Sequence, residues 1–233
     1  MNDKAVAAAT EYIKSWFEFR FNREEIPGMV IAISHKGKMV LNEAHGYADL
    51  EKQEKLTKDH IFRIASHSKT FTATALMQLQ DQEKLRIDDY VVKYLPWLSK
   101  HKDTRWQKVT VRQLMSHGAG VVRDGLTSNY WQLEYPFPNV NELKKEILKS
   151  DLVVDNNIKL KYSNYGYSLL GLIIEELSGL SYSDYIKKYI CEPLNLTNTG
   201  SDVVDSILPL SVTSYTRRDY SKTRLPIDNV QTN

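Results

Sequence analysis

Two strand-like segments near the N-terminus constrain the fold of this chain more than any other feature. Residues 29–34 and 38–47 have the pattern of β-strands, and Lys36-Gly37 between them predicts a compact hairpin turn. An isolated hairpin is only marginally stable in water, and its open edge invites pairing with another strand. The sheet therefore needs more strands than the two that the pattern supplies.

The rest of the chain has the pattern of helices and loops. Residues 1–23 predict an amphipathic helix whose apolar side consists of Ala5, Ala8, Tyr12, Ile13, Trp16 and Phe17. Helices are also predicted from residue 66 to about 84, over 109–115, 141–148 and 167–177, and from 183 to 190. The loop over residues 121–139 carries Trp131, Tyr135 and Phe137. These aromatic residues could line a cleft, but we favour packing.

We expect an α+β fold in three segments. Residues 1–65 would form an N-terminal helix and the β-hairpin of an α/β subdomain, and residues 66–208 a helical subdomain. Residues 209–233 would form a polar tail. The helical subdomain would lie beside an antiparallel sheet that is incomplete in this chain.

Composition excludes several classes of function. The formal net charge of +2 is too small to indicate binding to nucleic acid or to an anionic membrane. Cys191 is the single cysteine, so no internal disulfide can form, and the six histidines show no metal-ligand spacing. We therefore expect neither a metal nor a cofactor. No segment approaches a transmembrane span and no signal peptide is visible, so the chain as it stands would be soluble and cytoplasmic.

Ser66 and Lys69 form the first candidate catalytic pair. They stand three residues apart where an apolar segment runs into a predicted helix, so the hydroxyl and the amine share one face. A neighbouring base can activate a serine as a nucleophile, and lysine is one such base. Ser66 could instead be a helix cap. Ser99 and Lys102 have the same spacing in a charged loop, so spacing alone leaves both interpretations open.

Tyr162-Ser-Asn164 is the second candidate motif, and it directly precedes an apolar helical segment. A tyrosine beside a lysine can pass a proton, because the cation favours the phenolate. The amide of Asn164 can hold a substrate carbonyl or an ammonium group. The alternative is a tyrosine that packs and an asparagine that caps the helix.

Taken together, these residues resemble the serine β-lactamase and penicillin-binding protein superfamily, in particular its class C-like branch of β-lactamases, esterases and D-amino-acid peptidases. The matching blocks begin at Pro27, Ile61, Leu85, Val109 and Lys161 and run in the order of the family's motifs. Each block alone is weak, but their order, spacing and flanks make the set specific. The resemblance implies a β-lactamase/transpeptidase-like fold.

The resemblance also implies the role of each residue. Ser66 would be the acylated nucleophile, and Lys69 would deprotonate it or tune Tyr162. Tyr162 would be the general acid or base, and Asn164 would hold the substrate amide or the Lys69 charge. The Ser66 backbone N–H would be half of the oxyanion hole. The implied reaction is acyl transfer through a seryl ester, on a small-molecule or peptide substrate that is an ester, a β-lactam or a D-amino-acid peptide. We favour an esterase or peptidase over a dedicated β-lactamase.

One departure from the family bears on activity. The family's third motif, Lys-Thr-Gly or His-x-Gly on a later strand, is missing, and the near match Asn198-Thr-Gly200 comes too early and lacks a basic residue. We therefore expect a truncated, impaired hydrolase, unless another chain or a homo-oligomeric partner completes the sheet. The alternative is a non-catalytic binding or assembly module that retains the fold.

Overall fold

The structure, a computed structural model, describes residues 3–125, 128–132, 135–202, 207–216 and 224–227. The described residues group into two compact units. One combines residues 1–63 with 203–231, and the other spans residues 64–202. None of the described helices is both long and apolar enough to cross a membrane.

Among its described residues, the first unit contains one α-helix, a short 3-10 helix (Leu208–Leu210) and two small antiparallel sheets. Its elements are α1 (Asp3–Glu24), β1 (Gly28–His35), β2 (Lys38–Asp49), β3 (Glu54–Lys55), β4 (Ser214–Tyr215) and β5 (Pro226–Ile227). The three-stranded sheet has the order β1-β2-β3, and β4 pairs with β5. The predicted hairpin is confirmed, and the short strands β3, β4 and β5 are additions that sequence pattern did not reveal. Strands of two residues are too short to show alternation.

The hairpin turn explains the register of β1 and β2. Lys36 and Gly37 both have positive φ, which is typical of the two-residue type I′ turn that matches strand twist. His35 consequently pairs with Lys38, and the ladder continues to Gly28 opposite Gly46, with one irregularity at Ile33/Ser34.

Helix α1 contacts the hairpin through a narrower face than its sequence predicts. Phe17 is buried, and its ring meets the ring of His45 on β2 edge-on at 5.0 Å. Tyr12 and Trp16 are each more than half exposed, so the apolar side of the helix is covered only in part. Helical spacing identifies the residues on one side of a helix, but the width of the partner surface decides how many of them are covered.

The second unit is built from helices around one apolar core. Its helices are α2 (Ser68–Asp81), α3 (Val111–Met115), α4 (Val140–Lys149), α5 (Asn164–Ser178) and α6 (Tyr182–Ile186), the last continued by a π-helical turn, Lys187–Cys191. Fully buried side chains from these helices and their connections fill the core: Leu76, Leu79, Leu98, Trp106, Leu114, Ile147, Leu169, Leu170, Ile173 and Ile174. Cys191 is also buried in it.

Local sequence signals account for several helix ends. Thr110 and Gln113 form a reciprocal capping box at the start of α3, and Asn139 and Glu142 form another at α4. Helix α5 ends at Gly179, whose φ of 69° is the left-handed conformation typical of a helix C-terminus. Its start is three residues earlier than predicted, because Ser163 caps it and extends it over the polar residues that follow.

The aromatic loop behaves in two ways. Tyr130 is buried and Phe137 packs against the core, which agrees with the packing interpretation. Trp131 and Tyr135 are more than half exposed, although the ring of Trp131 still contacts those of Tyr130 and Phe137. Ser99 lies in a 3-10 segment, Pro96–Lys100, where its hydroxyl donates to the Pro96 carbonyl, as expected of a surface loop. Asn198-Thr-Gly200 lies in turn and irregular structure.

Candidate active site

Ser66 lies in a 3-10 turn, Ala65–His67, directly before α2. The residue that caps α2 is His67, and no side chain caps either element, so the interpretation of Ser66 as a helix cap is wrong. Ala65 has a φ of 44°, which is the left-handed region. Such a conformation costs on the order of 1–3 kcal/mol and concentrates at functional sites. The strained turn holds the Ser66 side chain exposed.

Lys69 lies one turn further along, on the first turn of α2. Its Nζ is 3.4 Å from Ser66 Oγ, and it donates a 2.8 Å hydrogen bond to Asn164 Oδ1. The i,i+3 spacing thus brings hydroxyl and amine together as predicted. The contact with Asn164 joins the starts of α2 and α5, whose apolar faces pack in the core.

Tyr162 immediately precedes α5 and reaches the same point. Its Oη is 2.5 Å from Ser66 Oγ, which is closer than the lysine amine. Burial by itself raises the pKa of Tyr162, but the interactions with Lys69 and Ser66 and the charge of Arg123 more than offset it. The pKa therefore lies below its ordinary value of 10.0. Tyr162 therefore loses its proton more readily than a free tyrosine does.

His117 orients the ring of Tyr162. The two ring centroids are 4.4 Å apart, and His117 Nδ1 accepts a 3.2 Å hydrogen bond from the backbone N–H of Ser163. Burial, reinforced by the charge of Lys69, lowers the pKa of His117 below 6.5, so the imidazole is neutral at pH 7. The His117-Gly-Ala-Gly120 segment is a turn after α3, and it also supports the site.

Asn164 is the first residue of α5 but does not cap it, because Ser163 provides the cap. Its amide bridges two groups of opposite charge. Oδ1 accepts from Lys69, and Nδ2 donates a 2.6 Å hydrogen bond to Asp124 Oδ1. The structure therefore brings all four predicted site residues together: Ser66, Lys69, Tyr162 and Asn164.

Three neighbours of these residues escaped sequence reasoning. Asp124, Arg123 and His117 lie in turns and loops that have no periodicity and match no catalytic spacing. The guanidinium of Arg123 lies 5.5 Å from the centre of the Tyr162 ring and pairs with Asp124 at 3.0 Å. His117 lies within the matching block that begins at Val109, and the position of Arg123 and Asp124 just after that block is the signal that could have drawn attention to them.

One cluster in the first unit has the composition of a cation site. Among the described residues, ligand atoms of Glu18, Glu43 and His45 lie within 4.8 Å of one another. Lys14 Nζ is 2.6 Å from Glu43 Oε1, so an ammonium group already pairs with one of the two carboxylates of this cluster. The four site residues contain no thiol and one carboxamide, a poor ligand set for a metal.

Comparisons with known proteins are consistent with this geometry. A family model described as Beta-lactamase matches residues 5–232. Protein flp of Staphylococcus aureus strain COL is 30% identical over 190 residues, which are 82% of this chain and 38% of that protein. The teichoic acid D-alanine hydrolase of Staphylococcus aureus is 31% identical over 170 residues, which are 73% of this chain and 40% of that protein.

A solved structure matches as well. The class C β-lactamase of Rhodobacter sphaeroides is 26% identical, with a TM-score of 0.76, over 95% of this chain and 57% of that one. The chain spans less than half the length of the two curated relatives, at 38% and 40%.

Proposed function

This chain belongs to the β-lactamase family, and we propose that it is a serine hydrolase that works by acyl transfer through an ester on Ser66. The observation that carries this proposal is the position of the Ser66 hydroxyl. It lies 2.5 Å from a tyrosine oxygen and 3.4 Å from a lysine nitrogen. A nucleophile within hydrogen-bond distance of a base, with that base oriented by further groups, is the arrangement that covalent catalysis requires.

Acylation begins with transfer of the Ser66 proton to the Tyr162 phenolate. The freed Oγ attacks the carbonyl carbon of the substrate, and the carbonyl π electrons move to its oxygen. When the carbonyl reforms, the bond to the leaving group breaks, and Tyr162 returns the proton to that group. In deacylation, Tyr162 takes a proton from a water molecule as its oxygen attacks the carbonyl carbon of the ester. When the carbonyl reforms, the bond to Ser66 Oγ breaks, and Tyr162 gives the proton to that oxygen.

Lys69 has an electrostatic role in this scheme. Its ammonium donates to Asn164 at 2.8 Å, whereas its distance to Ser66 Oγ is 3.4 Å. Tyr162 is the closer proton acceptor, and the positive charge of Lys69 favours its phenolate. We therefore assign the base to Tyr162, and to Lys69 the task of stabilising negative charge on Tyr162 and on the reacting oxygen.

The substrate class we favour is a carboxylic ester or D-amino-acyl compound. One relative with 31% identity is named a teichoic acid D-alanine hydrolase, which supports a D-alanyl substrate for this chain. Fold and family alone do not decide substrate. A D-amino-acid peptide comes next and a β-lactam last, because both also react by acylation of serine.

We also propose that these 233 residues hydrolyse substrate slowly. They contain no Lys-Thr-Gly or His-x-Gly motif after Tyr162. In the family that motif lies on the strand that supplies the second oxyanion donor, the first being the Ser66 N–H. Removing one donor from an oxyanion hole typically costs about 100- to 1,000-fold in kcat.

Labelling of Ser66 tests the chemistry directly. The chain is incubated with a fluorophosphonate probe, and the adduct is located by mass spectrometry, while hydrolysis of p-nitrophenyl acetate and nitrocefin is followed by absorbance. We expect one adduct, on Ser66, and ester turnover above that of nitrocefin. Ser66→Ala should abolish both signals. Ser99→Ala is the matched control, because Ser99 has the same spacing to a lysine, and it should keep them.

Two results would overturn these proposals separately. Folded protein that takes no label would favour the non-catalytic binding module. Equal Ser66-dependent turnover by this chain and by a C-terminally extended version that carries the third motif would contradict the proposed impairment.

A further inference from the structure

We propose that Asp124 is a positioning residue for this site: its buried carboxylate sets the orientation of the Asn164 amide, so that Oδ1 rather than Nδ2 faces Lys69. The effect on catalysis rests on the proposed function, whereas the orientation of the amide can be tested without it. Asp124 lies outside the residues that the motifs identify.

The contacts of the carboxylate support this role. Asp124 is buried, with Oδ1 accepting from Asn164 Nδ2 at 2.6 Å and Oδ2 forming an ion pair with Arg123, whose Nε lies 3.0 Å away. Both oxygens therefore have partners, as is usual for a buried polar group, and a hydrogen bond to a charged acceptor is stronger than one between neutral groups. The 2.6 Å contact is among the short ones expected when the acceptor is charged.

The chemistry of the neighbours permits one orientation of the amide. A carboxylate only accepts hydrogen bonds, and an ammonium only donates them. Asn164 lies between the two, so its NH₂ must face Asp124 and its oxygen must face Lys69. The flipped amide would place NH₂ against the ammonium and oxygen against the carboxylate, and both contacts would become repulsive. By accepting from the Asn164 NH₂ group, Asp124 keeps the amide oxygen turned toward Lys69, where it accepts from the ammonium.

The backbone holds Asp124 in place. The carbonyl of Val122 accepts from Ser163 Oγ at 2.7 Å, and that of Arg123 accepts from the Asn164 N–H at 2.9 Å. Tyr130 Oη donates to the Asp124 carbonyl at 2.7 Å, in a buried contact. The two residues before Asp124 are therefore tied to the start of α5, and Tyr130 holds the Asp124 carbonyl itself, so backbone contacts fix the distance between Asp124 and Asn164.

A charge-swap cycle tests the proposal. Asp124→Asn removes the obligatory acceptor and lets the Asn164 amide flip, so we expect labelling of Ser66 to slow about tenfold. Asn164→Asp alone places a second carboxylate beside Asp124 and should slow labelling at least as much. The double variant Asp124→Asn/Asn164→Asp exchanges the amide and the carboxylate, so that the hydrogen bond between the two positions and the original net charge return, while the ion pair with Arg123 is lost. We expect it to label faster than Asn164→Asp alone, since the effects of changes at neighbouring sites in one network are not additive.

Asp103→Asn is the matched control. Asp103 is a carboxylate of the same unit with equal burial, the side-chain exposures being 9% for Asp103 and 10% for Asp124, and it is paired with Arg105 at 2.7 Å. It should lower the thermal midpoint without slowing the labelling. Labelling of Asp124→Asn at the parental rate, or a double variant as slow as the two single changes combined, would overturn the proposal.

A spectroscopic readout separates this proposal from the proposed function. In protein labelled with ¹⁵N-asparagine, the Asn164 side-chain NH₂ signal is identified by its loss in Asn164→Asp. We expect slow hydrogen exchange of this NH₂ in the parent and fast exchange in Asp124→Ala. If the parent takes no probe but shows this behaviour, the proposed function fails and the positioning role stands. Fast exchange in the parent would overturn the positioning role.

Discussion

Tyr162 Oη lies 2.5 Å from Ser66 Oγ, although 96 positions separate the two residues in the sequence. Ser66 precedes α2, Tyr162 precedes α5, and the two helices pack in one core. The core of the second unit therefore sets the distance on which the proposed acyl transfer depends.

Tyr162→Phe removes the phenol oxygen and keeps the ring against His117. We expect the rate of Ser66 labelling and of p-nitrophenyl acetate hydrolysis to fall about 100-fold or more, as is typical for loss of a general base. The thermal midpoint should change little, because the oxygen contacts the exposed Ser66 hydroxyl. Stopped-flow kinetics and circular dichroism melts measure the two quantities. A variant that acylates at the parental rate would remove Tyr162 from the mechanism.

Lys69→Met should shift the pH dependence of acylation to higher pH. Lys69 lowers the pKa of Tyr162, which lies below 10.0, and the proposed base is the phenolate. The rate of the parent should therefore fall as the pH falls through that pKa. Removing the positive charge raises the pKa, so the midpoint of this limb moves up in the variant. The pH profile of the labelling rate is measured from about pH 6 to about pH 11, a range that includes the ordinary tyrosine pKa of about 10. An unshifted midpoint would contradict the coupling.

His117→Phe keeps an aromatic ring beside Tyr162 but leaves the Ser163 N–H without its acceptor. An unsatisfied buried donor costs about 1–3 kcal/mol, and we expect a loss of unfolding free energy of that order at pH 7.5. The folded-state pKa of His117 lies below 6.5, so its contribution is present above pH 6.5 and is lost as the pH falls. The difference in unfolding free energy between parent and variant should become smaller at acid pH. Urea titrations at several pH values measure it, and a constant difference would be evidence against a neutral His117.

Thr213→Val should make the first unit more sensitive to acid. A backbone hydrogen bond from Lys52 and the hydroxyl of Thr213 lower the pKa of Asp49 from 3.8 to about 2. The stabilisation from this carboxylate is present above pH 3.8 and is lost as the pH falls toward about 2. Removing the hydroxyl raises this pKa, so acid unfolding should begin at higher pH. Thr213→Ser retains the hydroxyl and is the control, and equal acid midpoints for Val and Ser would contradict the assignment.

Gly125→Ala should disturb the site through the loop that carries Asp124. Gly125 has a φ of 83°, and a Cβ there would lie 2.5 Å from Tyr165 Oη. Strain of this kind costs on the order of 1–3 kcal/mol. We expect a lower thermal midpoint and slower Ser66 labelling. Gly37→Ala is a suitable control, because Gly37 also has positive φ but open space around a new Cβ. Labelling of Gly125→Ala at the parental rate would show that the conformation of this loop does not affect the site.

Much of the fold could be predicted because it depends on near neighbours in sequence. Lys36-Gly37 specified the turn and hence the register of β1 and β2, and Thr110 and Gly179 marked helix ends. The apolar face of α1 was predicted less well. Its spacing was helical, but the hairpin covers Phe17 and leaves Trp16 exposed, which no local pattern encodes.

The sequence by itself placed Ser66 and Lys69 on one face, because a helical turn brings residues three apart together. It also supplied Tyr162 and Asn164 as candidates through their motif. The tertiary structure alone decided which group lies closest to the nucleophile, that Asp124 sets the polarity of the Asn164 amide, and that Tyr162 has a lowered pKa. These properties depend on the distances between segments far apart in the chain and on how deeply their side chains are buried. The packing of the helical core sets the distances and the burial.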